Sequence, residues 1–223
     1  MSNHPLPETL RRAIADDLDP VRPLHPWWMR AMLAVSVAAV ILAAVLATAG
    51  LRADMDHIPM WLSWGSSSFQ LALAFLLIGL AMRESVPGRG APLGTVRAAA
   101  ALALAVQVLI GITTSFHSAP FAAHGGGITA GMGCFAHESA MALPIFAVTL
   151  LLVFTAYPLR APTAGLLGGA GATLGSDAVI HLLCPKSDLA HVLMWHTGSV
   201  VFFMALGWLA GVVWRRLQWR RPS

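Results

Sequence analysis

Charge is scarce in this chain. Charged residues make up 11% of 223, where an average soluble domain carries about 25%. That shortage excludes a fully solvated surface. Hydrophobic residues at 57% and a mean hydropathy of +0.70 point instead to a surface that meets lipid. Lysine is almost missing: Lys186 is the single one, and every other basic residue is arginine. The arginines sit in loops beside apolar runs, so the net charge of +4 reads as a topology signal and not as a nucleic-acid-binding face. The first apolar run starts near Met29, behind a polar segment, and is too long for the apolar core of a signal, so no cleavable leader is expected. A phosphate loop is excluded as well. The glycine-rich Gly165–Gly175 stretch lies inside an apolar run, with no strand before it and no lysine after its glycines. Its Gly165/Gly169 and Gly171/Gly175 pairs are the small-xxx-small spacing of close helix packing.

What the chain has is six apolar runs, near 28–50, 61–82, 95–116, 138–157, 162–183 and 191–214. Each has about the 20 residues that cross a hydrocarbon core of roughly 30 Å at 1.5 Å per residue. The expected fold is all-α: a polytopic membrane protein, a six-helix transmembrane bundle with a short cytoplasmic N-terminal segment. It divides into residues 1–27, a bundle over 28–215 and a basic tail over 216–223. Tryptophans cluster near the run ends, as in an interfacial belt, and Gln107 within the third run suggests an interhelical hydrogen bond. All fourteen Lys and Arg except Arg52 and Lys186 fall on the side of the termini. The positive-inside rule then puts both termini in the cytoplasm.

In the first segment Leu10, Ile14 and Leu18 recur every four residues, one face of a short helix, with Arg11, Arg12, Asp16 and Asp17 on the other side. Two readings stand: a solvated tail with a frayed helix, or a helix that orders by burying its stripe on a partner protein.

Histidine is sorted by side. All nine except His4 and His25 fall in or just below the loops opposite the termini, and so do both cysteines. The connector between the fourth and fifth runs is about five residues long, so these runs form a tight antiparallel hairpin. The hairpin sets Cys134, before the fourth run, beside Cys184, at the end of the fifth. Asp177, His181 and Cys184 share one stripe of the fifth run. Cys134, His137, Glu138 and Met141 share another if the fourth helix starts early. His191 and Met194 open the sixth. Asp177 lies below the surface and needs a partner, for which His181, one turn up, is the expected one.

Thiolate, imidazole and thioether suit a soft or borderline cation, with Cys134, Cys184, His137 and His181 as candidate ligands and Glu138, Asp177 and His191 around them. The ion would be a transient copper, zinc or cadmium, with no tightly bound cofactor. Two cysteines in an oxidising compartment equally suit a redox switch or a static disulfide. A haem or quinone redox protein and a metal transporter are further readings of the same cluster.

Leu10-Arg-Arg-Ala-Ile-Ala-Asp-Asp-Leu-Asp-Pro-Val-Arg-Pro-Leu24, Gly133-Cys-Phe, Leu182-Leu-Cys-Pro185 and Trp195-His196 carry a resemblance. The chain resembles the NrsF-type negative regulators of extracytoplasmic-function sigma factors, six-span proteins of the bacterial inner membrane. The resemblance implies an anti-sigma factor, not an enzyme. Its partners would be a sigma factor and the lipid bilayer, with no direct contact to nucleic acid. The N-terminal segment, through Leu10, Ile14, Leu18, Arg11 and Arg12, would hold the sigma factor. Two outer cysteines, mapping onto Cys134 and Cys184, would respond to heavy metal or oxidative stress.

Overall fold

A computed structural model describes residues 7–16, 23–118 and 131–219. Among these residues every regular element is helical. Helix α1 (Glu8–Asp16) has no buried residue, and Leu10 and Ile14 are each 45% exposed. Arg11 and Arg12 lie 3.4 and 3.6 Å from Glu8 across one helical turn. Leu18, the third member of its expected stripe, falls outside the described residues.

Six helices are long and apolar enough to cross a membrane: Trp27–Ala49, Trp61–Glu84, Leu93–His117, Met132–Phe154, Ala161–Leu183 and Leu189–Gln218. The first is α2 (Trp27–Ala49), which ends at Gly50 with φ of 74°, a left-handed turn that glycine adopts without strain. The second opens with a π turn (Trp61–Gly65) and continues as α3 (Ser66–Glu84). Then come α4 (Leu93–Ser118), α5 (Met132–Phe154) and α6 (Ala161–Leu183). The last span is composite: a short α7 (Leu189–His191), a π turn (Val192–Thr197) and α8 (Gly198–Trp219).

The fourth span begins six residues before the expected 138. Glycines and polar side chains lower the hydropathy of residues 131–138. In the fold Glu138 is nevertheless completely buried and Cys134 half-buried, so this turn belongs to the helix.

The middle of the bundle is α6. Its most apolar stretch is 83% buried, against 22–44% for the other five spans. Its small residues explain why it can be surrounded. A Cβ added at Gly165 or Gly169 would strike the carbonyls of Gly207 and Phe203 on α8, and one at Gly171 would lie 2.8 Å from the Ala74 carbonyl on α3. Helix α6 thus packs backbone to backbone on two sides, the close approach that small residues permit. Around it, lipid-facing side chains such as Val40, Leu76, Leu109 and Leu151 are 60–70% exposed. Gln107 does make an interhelical bond: it accepts from Gln70 Nε2 of α3 at 2.7 Å, and Gln70 also donates to Asp177 Oδ2 of α6 at 2.7 Å.

The α5–α6 connector is residues 155–160, with Tyr157 at a φ of 52°. This reversal lies on the side of the termini. It therefore sets the start of α5 and the end of α6 together at the opposite end.

Candidate functional site

Cys134 sits in the first turn of α5, and Cys184 is the residue after the last turn of α6. Their sulfurs lie 3.1 Å apart, and both are free thiols. That separation is longer than a disulfide bond of about 2.05 Å and short enough for one ion, or one bond, to join the pair.

The Cys184 loop is held from across the bundle. The Arg52 amide donates to the Leu182 carbonyl at 3.0 Å. Its guanidinium donates to Ser187 Oγ at 2.8 Å and to the Pro185 carbonyl at 3.3 Å, and grips both oxygens of Asp54 at 2.6 and 2.7 Å. Burial works against the ionised form of Asp54, but the paired guanidinium wins and holds its carboxyl below the usual range. Arg52 had signalled only topology in the sequence. In the fold it positions a cysteine. The Cys184 thiol is pushed up from its ordinary value by the Cys134 sulfur beside it and by burial, so Cys184 keeps its proton until something displaces it.

Two imidazoles complete the cluster. His191 Nε2 is 3.6 Å from the Cys184 sulfur, and the His191 amide is capped by Asp188 Oδ1 at 2.9 Å. His196 Nδ1 is 2.7 Å from Asp177 Oδ1 and 3.6 Å from Glu138 Oε2. A carboxylate at that distance accepts the Nδ1 proton, and whenever the ring is neutral its lone pair is then on Nε2. His196 Nε2 is buried and has no hydrogen-bond partner among the described residues. One ligand atom from each of Cys134, Cys184, His191 and His196 lies within 4.8 Å of every other. In a tetrahedral zinc site, with metal bonds of about 2.0–2.3 Å, ligand atoms are roughly 3.3–3.8 Å apart. The set is that of a Cys2His2 site, with no pair more than about 1 Å beyond that spacing and the two sulfurs slightly inside it. Glu138, on the far side of His196, accepts from Ser199 Oγ and is itself 0% exposed. A cavity of about 10 Å³, lined by Asp177, Cys184 and His196 among others, adjoins the Cys184 thiol, which is room for about one water.

Two expected ligands fall elsewhere. His137 is exposed, and its Nδ1 faces the Gly133 carbonyl of its own helix at 2.7 Å. It precedes Glu138, and one residue turns a helix by about 100°, so with Glu138 pointing inward His137 is swung to the rim. His181 Nε2 faces the Leu62 carbonyl at 3.2 Å, toward the π turn that opens the second span. It is therefore not the partner of Asp177; that partner is His196. A stripe on α6 does not say which neighbour each position meets, because this helix has neighbours all round.

His196 stood in the sequence only as one outer histidine among several. On a regular α-helix, positions i and i+5 are about 140° apart, so His191 and His196 would not share a face. The π turn over residues 192–197 closes i to i+5, and the two rings lie 5.3 Å apart. The available signal was the Trp195-His196 pair next to the cysteine motif, which spacing rules pass over.

A family model described as negative regulator of sigma F, NrsF, matches residues 14–219. No curated protein and no solved structure matches the chain. The match runs from the last turn of α1 through all six apolar helices and takes in both thiols, both imidazoles and Asp177. The chain therefore belongs to the NrsF family of negative regulators of sigma F.

Proposed function

We propose that this chain is an anti-sigma factor of the bacterial inner membrane, with both termini in the cytoplasm. It holds an extracytoplasmic-function sigma factor through residues 1–27. It lets the sigma factor go when the thiol and imidazole cluster on the outer face takes a soft metal ion or is oxidised. The family supplies the negative regulation of a sigma factor. The observation that carries the sensing is the pair of free thiols 3.1 Å apart with two imidazoles around them.

The residues fit a soft or borderline ion. Cys134 and Cys184 would be its sulfur ligands, and His191 and His196 its nitrogen ligands. Asp177 would fix the His196 tautomer, the outer-shell role a carboxylate plays at many metal sites. An oxidant would act on the same pair: two thiols give up two electrons and two protons and form one disulfide. A disulfide draws the start of α5 and the end of α6 together, whereas an ion spreads the two sulfurs from 3.1 Å to about 3.8 Å and pulls the π turn before α8 toward them, so either changes the packing at this end. Helices α6 and α8 are in backbone contact from Gly169 and Phe203 down to Ala161 and Gly211, so a shift at one end is carried to the other. There Trp214 of α8 stacks on Phe154 of α5 with ring centroids 4.9 Å apart. The output element is α1, which has no buried residue and whose Leu10 and Ile14 are each 45% exposed. A ligand shifts such an equilibrium only through its preference for one state. A hundredfold preference, about 2.7 kcal/mol, suffices for a transcriptional response.

The test is co-purification of the full-length protein and its sigma factor from membranes. Cadmium ion or a thiol oxidant is expected to release the sigma factor from wild type and to leave it bound in Cys134→Ser and Cys184→Ser. Release from both variants as from wild type contradicts the sensing reading. Absence of any sigma factor from the wild-type preparation contradicts the anti-sigma reading.

A further inference from the structure

Two arginines are buried among the described residues, Arg52 and Arg30, each 5% exposed. Arg52 has Asp54 on its guanidinium. Arg30, in the first turn of α2, has no ion-pair partner among the described residues. Its Nη2 donates to Ser85 Oγ at 2.9 Å, to the Leu152 carbonyl and to Met82 Sδ at 3.9 Å, while Nε and Nη1 are buried with no hydrogen-bond partner among the described residues. The acidic residue next to Ser85 is already committed: Glu84 accepts from the Ala91 amide and lies 3.2 Å from Arg160. A guanidinium keeps its charge at any physiological pH, and a buried charge without a counter-ion is costly.

The place for a counter-ion adjoins it. A cleft of about 430 Å³ opens where the N-terminal segment meets the bundle, and Arg30, Arg89, His25, Trp27 and Trp28 line it together with apolar Leu24 and Val86. The same wall is basic beyond the cleft: Arg83 and Arg89 are exposed, and Arg83 Nε braces the Arg89 carbonyl at 3.0 Å. Trp28 is 51% exposed at the very start of an apolar helix, the level at which tryptophans meet lipid headgroups.

We infer that this cleft binds the phosphate of an anionic phospholipid in the leaflet on the side of the termini, with Arg30 and Arg89 as the cationic contacts and Trp27 and Trp28 against the glycerol and upper acyl chain. The occupant has to bring a negative charge, and it has to suit a half-apolar cleft set at the depth of the tryptophan belt. A phospholipid headgroup meets both demands, and arginine is suited to phosphate by its forked donors. The inference rests on the bundle lying in a membrane and not on the sensing reading, so either can fail alone.

The test is native mass spectrometry of the full-length protein released from mixed vesicles of phosphatidylglycerol and phosphatidylcholine with matched acyl chains. Wild type is expected to retain one phosphatidylglycerol, with about tenfold preference over phosphatidylcholine. Arg30→Gln is expected to lose that preference, and Arg89→Gln to lower it by about threefold. The exposed Arg89 position keeps the test usable if Arg30→Gln fails to fold. Equal retention of the two lipids by wild type overturns the inference, as does a preference untouched by Arg89→Gln and by a folded Arg30→Gln. Displacement of the lipid by millimolar inorganic phosphate would make this a free-anion site and overturn the lipid assignment. So would Arg30-dependent capture of the sigma factor with no lipid retained, which would give the cleft to the protein partner.

Discussion

The two ends of the bundle treat the same kind of residue differently. At the cysteine end a buried arginine, Arg52, meets a carboxylate, a serine and a carbonyl from its own chain. At the end of the termini an equally buried arginine, Arg30, meets three neutral acceptors and keeps two nitrogens unpartnered among the described residues. Histidine and helix follow the same division. His196 is pinned by Asp177, while Leu10 and Ile14 of α1 are each 45% exposed. At the cysteine end the buried arginine charge is matched by a carboxylate of the chain, and at the end of the termini, among the described residues, it is not.

Variants that remove a partner should therefore hurt one end and spare the other. The largest effect is expected from Asp54→Ala, which leaves the Arg52 charge buried without its carboxylate. Loss of about 2–3 kcal/mol of bundle stability in detergent is expected, a value reduced because Asp54 is partly wet. Acid should imitate it. The folded carboxyl lies below its unfolded value, so its contribution is full above the unfolded pKa of about 3.9 and is lost as pH falls through the folded one. Thermal unfolding followed from pH 6 down to pH 3 checks both statements. Flat stability down to pH 3 breaks the contrast between the ends.

Asp177→Ala comes next. It strips His196 Nδ1 and Gln70 Nε2 of their shared acceptor, with about 1–3 kcal/mol lost and zinc affinity lowered about 10–100-fold. Isothermal titration with zinc measures the second figure, and unchanged affinity would remove Asp177 from the site.

At the opposite end Arg30→Met should cost about 1 kcal/mol or less in lipid-free detergent, because it deletes a charge that the chain does not compensate. A loss as large as that of Asp54→Ala would show the two arginines to be equivalent. Smallest is the double change Leu10→Ser and Ile14→Ser, expected to move the melting of the bundle by no more than about 0.5 kcal/mol while abolishing capture of the sigma factor. Melting and co-purification, measured on the same preparations, separate stability from output.

How much of this was written in the sequence differs by feature. The six spans were legible because lipid demands long apolar runs and little else imitates them. The meeting of Cys134 with Cys184 was legible because a short connector leaves a hairpin no freedom of register. The partners of those thiols were not. Their identity depends on which neighbour each face of the central α6 meets, and on a π turn that rotates His196 onto the face of His191. Spacing rules built on 3.6 residues per turn selected His137 and His181, and the fold sends one to the rim and the other toward Leu62. Arg30 was hidden for a different reason. In the sequence it counts as one more topology signal, and only packing shows that it lacks a counter-ion.

X-ray absorption on the full-length protein loaded with one equivalent of zinc tests the detector most directly. Two sulfur ligands at about 2.3 Å and two imidazole nitrogens at about 2.0 Å are predicted, with one nitrogen lost in His196→Ala and none lost in His137→Ala. A spectrum without sulfur ligands, or one that changes with His137 and not with His196, contradicts the account.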